Sequence, residues 1–117
     1  MRLIEIQERL GLDLLTPESS EMNSVNIAAG HATDLLSDVL AHAPSGAIWV
    51  TIQVNMNVVA VAMHAELAAV VFSSGRLPDE DVVKKAAESG IVLFSSAEPT
   101  FELVGKLYEM GVREKDA

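Results

Sequence analysis

Cysteine is missing from all 117 residues, so neither disulfide staples nor thiolate metal centres can exist, in keeping with a reducing compartment. Aromatic residues are scarce too: one Trp, one Tyr and three Phe cannot build the stacked platform on which single-stranded nucleic acid is read. Positive charge is also in short supply. Eight Lys and Arg stand against seventeen Asp and Glu, a formal charge of -9, and such a chain repels phosphate backbones and anionic headgroups. Nucleic acid and membrane surfaces are therefore not expected partners. No run approaches the roughly 20 apolar residues that span a bilayer. The longest, residues 58–72, is broken by His64 and Glu66. Residues 1–10 carry Glu5 and Glu8 where the unbroken apolar core of a signal peptide would lie. These absences predict a soluble, cytoplasmic protein.

What is present is an alternation of short apolar runs with amphipathic ones. Leu3, Ile6 and Leu10 recur at helical spacing, predicting a helix over residues 2–10, and Asp13 with Leu15 marks a brief strand. Residues 16–21 form a polar turn without periodicity, and Val25 and Ile27 alternate with polar neighbours as in a second short strand. Thr33 offers a cap for a helix with Leu35, Leu36, Val39 and Leu40 on one face. Residues 47–52 and 69–72 are almost wholly apolar or β-branched, as in strands covered on both sides. A smooth helix over 57–68 lies between them. Pro78 opens the next helix, with Asp79, Glu80 and Asp81 at its positive end and Gly90 after it. A strand over 91–94 and a helix from Pro99 and Thr100, with Phe101, Val104, Leu107 and Tyr108 on a shared face, complete the pattern. Strand–helix repetition predicts parallel strands joined by right-handed crossovers. The expected fold is thus a three-layer α/β/α domain over residues 1–111, with a mostly parallel sheet of about five strands and a frayed tail at 112–117.

In an open parallel sheet the carboxyl ends of the strands are where ligands sit. Three strands here end in small polar residues: Thr51, Gln53, Asn55 and Asn57; Ser73, Ser74, Gly75 and Arg76; and Ser95 and Ser96. These ten are the candidate ligand-binding residues. Two readings stand for the 73–76 loop, an anion cradle with Arg76 as counter-charge or a tight turn before a capped helix whose acids repel phosphate. Asn55 and Asn57 either read a ligand by hydrogen bonds or simply cap the helix after them. His31, Asp34 and Asp38 fall along one side if a helix runs through them, but Thr33 and Asp34 also suit a first helical turn. No metal site and no cofactor is assigned. Nor is a catalytic centre: no base is paired with a nucleophile, and the Gly105-Lys106 pair is followed by Leu107 and has Thr100 where a phosphate loop needs its first glycine.

Several strings in order, Asp34-Leu35-Leu36-Ser37-Asp38-Val39, Ile48-Trp49-Val50-Thr51-Ile52, Asn57-Val58-Val59-Ala60-Val61-Ala62, Ser73-Ser74-Gly75-Arg76-Leu77-Pro78 and Gly90-Ile91-Val92-Leu93, resemble the DRTGG domain. That family is similar to the amino-terminal domain of HPr kinase/phosphorylase, and the resemblance spans roughly residues 4–111. It implies the same α/β fold, a regulatory role beside nucleotide-sensing CBS domains or acyl-phosphate enzymes, and dimers. Two departures are plain. Val54-Asn55 stands where the family name implies Asp-Arg, and Ser73-Ser74-Gly75 where it implies Thr-Gly-Gly.

The helix around Val58, Val61, Ala62 and Ala65 has almost no polar face, and a helix apolar all round is buried on more than one side. A second copy of the chain is the expected cover, which predicts a homodimer through those residues. The functional expectation is a non-catalytic regulatory or ligand-binding module, sensing a nucleotide or other small metabolite at its strand ends. The alternative is a protein-interaction scaffold with no small-molecule pocket.

Overall fold

When each right-handed crossover adds the next strand on the same side of its predecessor, all the linking helices fall on one face of the sheet. The computed structural model, which describes residues 1–115, follows that rule. Its elements are α1 (Leu3–Leu10), β1 (Asp13–Leu14), a 3-10 turn (Ser20–Asn23), β2 (Ala29–Ala32), α2 (Leu36–His42), β3 (Ala47–Thr51), α3 (Asn57–His64), β4 (Ala69–Phe72), α4 (Glu80–Glu88), β5 (Val92–Ser95) and α5 (Thr100–Glu109). The five strands lie in the order β1-β5-β4-β3-β2. β2 to β5 are parallel and β1 runs antiparallel along β5.

Side chains alternate across the sheet, and two cores result. Trp49, Val70, Phe72 and Leu93 meet Val39 of α2, Val58, Val59 and Ala62 of α3, and Val82 and Ala86 of α4. On the other face Ile48, Val50, Val71 and Phe94 meet Leu3 and Ile6 of α1, Met22, and Leu103 and Leu107 of α5. All five residues of β3 are buried, as a strand roofed on both sides requires. The three-layer α/β/α architecture with its mostly parallel five-stranded sheet is therefore as the sequence pattern predicts.

Several local expectations shift. The second strand is not at Val25 and Ile27 but at Ala29–Ala32; Asn26 makes just an isolated bridge to Arg2. Ala-Gly-His-Ala has no strand pattern of its own, and what makes it a strand is the vacant edge of β3. On α2, Val39 is fully buried while Leu35 and Leu40 are exposed. On α5, Leu103 and Leu107 face the sheet, and Phe101 and Tyr108 point outward. α3 stops at His64 because Glu66 turns left-handed, with φ 56°, and Leu67 folds back to donate to the Ala62 carbonyl at 3.0 Å.

Two corrections bear on function. Val58, Val61 and Ala62 are buried against this chain's own sheet and neighbouring helices, and Ala65 packs partly against the same core. The smooth helix thus needs no second subunit to cover it, and Asn57, Ala60, Met63 and His64 are the residues it turns outward. The tail does not fray where it begins. Val112 is buried in the second core, and the Arg113 carbonyl accepts a 2.7 Å hydrogen bond from the amide of Gly30 on the edge strand. Residues 116–117 of that expected tail lie outside the described residues.

Gly30 is required for this docking: a Cβ there would sit 2.8 Å from Cγ1 of Val112, a β-branched side chain with little freedom to yield. Gly30→Ala should lower the unfolding free energy by about 1–3 kcal/mol. In a Val112→Ala background, where that methyl is gone, the same change should cost almost nothing. Urea titrations of the four chains in the cycle measure the coupling.

Candidate functional site

The carboxyl ends of β2 to β5 share one edge of the sheet, since these strands are parallel. The loops after β3 and β4 lead to α3 and α4 on the first face, whereas the loop after β5 leads to α5 on the second. Adjacent strands whose connections part in this way open a crevice between them. Here the two loops bridge it themselves. The amide of Ser74 donates to the Glu98 carbonyl at 2.7 Å, that of Gly75 to the Ser96 carbonyl at 2.8 Å, and that of Ser96 to the Phe72 carbonyl at 2.9 Å. The hydroxyls of Ser73 and Thr100 share a further hydrogen bond.

The turn at the centre of this clasp is unusual. Ser74 has φ 59° and Gly75 has φ 70°, two successive left-handed residues of which one is not glycine. Arg76 is exposed, and its amide donates to the Ser73 carbonyl at 3.2 Å. Each amide from Ser74 to Arg76 thus has an internal acceptor, and Glu80 and Asp81 hold the first turn of α4. This is the geometry of a tight turn, although no side chain caps α4.

At the end of β3 the polar groups form a chain. The Thr51 hydroxyl and the Ile52 amide both donate to Oδ1 of Asp34, each at 2.9 Å. The Gln53 amide donates to the Thr51 hydroxyl at 3.0 Å, and the Asn55 side chain donates to that of Gln53 at 3.1 Å. Oδ1 of Asn55 in turn accepts from the amide of Asn57 at 3.0 Å, leading the chain into α3. The Ser73 amide joins this group to the β4 loop through the Thr51 carbonyl at 3.1 Å. Thr51, Ser73, Ser95 and Ser96 are buried, Gln53 is half-buried, and Asn55, Asn57, Ser74, Gly75 and Arg76 face solvent. Among the described residues, four of the cavities open elsewhere, and none of these four is lined by any of the ten residues.

Asp34, Glu98 and Thr100 complete the rim, beyond the ten residues that the sequence pattern marks. Ser96 and Glu98 carry a local signal, since the Ser96 hydroxyl accepts from the Glu98 amide two residues on. Asp34 and Thr100 carry none, as each meets its partner through the fold.

The histidines assemble differently from the helical line the spacing suggests. His31 lies on β2, and its Nε2 is 2.9 Å from Oδ2 of Asp38 on α2. Nδ1 of His42 is 2.9 Å from the other oxygen, while Asp34 turns instead to β3. Hydrogen bonds from His31, then from His42, hold the Asp38 carboxyl below the usual aspartate range. Among the described residues no group of three or more His, Asp and Glu is placed to hold a metal ion, and no hydroxyl is hydrogen-bonded to a histidine.

Neither a protein-family model nor a curated protein matches this chain. Among solved structures, the fold is similar to one containing the CBS and DRTGG domains of the regulatory region of Clostridium perfringens pyrophosphatase, complexed with its activator, diadenosine tetraphosphate. The two superpose with a TM-score of 0.72 at 12% sequence identity over 88% of this chain. This chain spans 44% of that one's length. At such identity the likeness defines the fold.

Two outcomes follow from the geometry. Ser74→Gly removes the side-chain penalty of a left-handed residue, so it should be neutral or stabilising by up to about 1 kcal/mol, whereas the branched Ser74→Val should destabilise by about 1–2 kcal/mol, both read by thermal unfolding. Asp38 binds its proton less readily folded than unfolded, so its contribution is present at neutral pH and is lost as acid carries the pH below about 4, through its folded-state pKa. Asp38→Asn should therefore flatten the acid limb of a plot of unfolding free energy against pH.

Proposed function

We propose that this chain is a non-catalytic regulatory or ligand-binding module of the DRTGG type, which pairs with a second copy and senses a nucleotide or other small metabolite at the carboxyl ends of its strands. The observation that carries this reading is the turn at Ser73-Ser74-Gly75. Ser74 and Gly75 are both left-handed, the backbone state that the paired glycines of Thr-Gly-Gly suit, and a hydroxyl at Ser73 is hydrogen-bonded as a threonine's would be. The similar fold in a nucleotide-activated regulatory region supports the same reading.

Asn55, Asn57, Ser74, Gly75 and Arg76, with Gln53 behind them, form the accessible layer. Thr51, Ser73, Ser95 and Ser96 set its shape from beneath. Arg76 is the one cation of the ten, and Asp34, Asp79, Glu80 and Asp81 surround these loops, so hydrogen bonds to a base or sugar contribute more than phosphate attraction. A cytoplasmic setting belongs with this reading.

The second reading, a protein-interaction scaffold, has its own observation. Leu77 and Phe101 are 63% and 84% exposed, and they follow the two loops that clasp the crevice. Native mass spectrometry with thermal-shift assays against AMP, ATP and diadenosine tetraphosphate separates the two. A dimeric mass with a nucleotide-dependent rise in Tm, lost on Ser74→Trp, is the expected result. A monomer at high concentration whose Tm no adenine nucleotide moves would overturn it. Partner capture that survives Ser74→Trp and Asn55→Trp but fails on Leu77→Glu and Phe101→Glu would establish the scaffold.

A further inference from the structure

The second face of the sheet is covered unevenly. Three crossover helices line the first face, but α1 and α5 share the second with the segment after α5. At its edge β2 turns Gly30 and Ala32 toward α5, residues with almost no side chain; the direction is shown by Val112 and Ile48, the nearest side chains to a Cβ built on Gly30. A cavity of about 170 Å3 opens there, lined by Gly30, His31, Ala32, Val50, Val104, Leu107 and Val112. Its mouth is formed by Tyr108, Arg113 and Glu114.

The mouth is built around a cation. The Arg113 guanidinium lies over the Tyr108 ring, 3.6 Å from its centroid, and its Nη1 donates to the carbonyls of Tyr108 and Val112. Those bonds fix the plane of the group at the carboxyl end of α5, where positive charge is favoured. The Nε and Nη2 donors have no partner among the described residues. Glu114 is exposed, with one carboxylate oxygen 3.4 Å from Nδ1 of His31, so the mouth carries one cation, Arg113, beside one acid.

We infer that this cavity binds a small monocarboxylate whose compact apolar body, an aryl ring or a branched alkyl group, fills the space under α5 while the carboxylate meets Arg113. A dry cavity near 150 Å3 accepts a benzene-sized guest, and this one is of that order. Apart from His31, whose Nε2 already faces Asp38, its walls are aliphatic and cannot solvate a charge, so the charged end must stay at the mouth. There a planar guanidinium takes a carboxylate through two parallel hydrogen bonds. The site is too narrow for a nucleotide and shares no residue with the strand-end rim, so it stands or falls apart from the function proposed above.

The test is a titration of the intact chain with benzoate, and separately with toluene, at about 0.15 M salt, followed by saturation-transfer NMR and thermal unfolding. Benzoate should bind and raise Tm. Val104→Phe and Ala32→Leu, which fill the cavity from opposite walls and are checked for folding by circular dichroism, should each weaken benzoate at least tenfold. Should the first fail to fold, the second decides, since Ala32 is exposed at the edge strand. Arg113→Gln keeps donors for the helix-end carbonyls but removes the charge, and should weaken benzoate at least tenfold while leaving toluene unchanged. Absence of benzoate binding at millimolar concentration, undiminished binding in a folded filled variant, or toluene binding as tightly as benzoate to the intact chain would each overturn the inference.

Discussion

Strand β3 is buried on both of its faces, and the need to keep water from it organises the rest of the molecule. Its residues offer Trp49 to one side and Ile48 and Val50 to the other, so each side must carry a layer of helices. Parallel pairing then demands crossovers, and right-handed crossovers that step steadily toward β5 deliver α2, α3 and α4 to the same face. The opposite face receives just α1 and α5. That imbalance explains why Val112, beyond the last helix, is drawn into the core, and why space remains beneath α5 next to the bare edge of β2.

The same topology accounts for the rim. Because the connection after β5 leaves on the face opposite to that after β4, two loops diverge from neighbouring strands and would leave a gap between them. The chain closes the gap with backbone hydrogen bonds from Ser74 and Gly75 to the 96–98 segment, and it can do so because both residues adopt left-handed backbone. In this chain one of the two positions is serine. A conformation that glycine adopts freely is thus held by a residue that resists it, and the surrounding hydrogen bonds supply the difference.

Much of the architecture was legible in the residues. The apolar runs at 47–51 and 69–72, the acids opening α4 and the helical spacing of α1 all follow from side-chain chemistry within a few positions. β2 was not legible: Ala29, Gly30 and Ala32 have no pattern, and they became a strand because β3 had an open edge. The faces of α2 and α5 differ from their apolar patterns for a related reason. Leu35, Leu40, Phe101 and Tyr108 have the apolarity of core residues, but rotation of a helix on its sheet is set by packing. The smoothness of α3 suggests cover by a second subunit, whereas flanking helices and the sheet beneath already bury Val58, Val61 and Ala62.

The candidate site divides along the same line. Local order along the chain was enough to place Asn55 at the entry to α3 and to offer a tight turn as one reading of 73–76, because turns and caps are built by residues two to four apart. Asp34 reaching Thr51, Thr100 reaching Ser73, His31 meeting both Asp38 and Glu114, and Arg113 settling over a cavity floored by Gly30 came from the folded arrangement. Such pairs join positions far apart in sequence, and no short-range propensity encodes them; they exist because burying the sheet brings their strands and helices together.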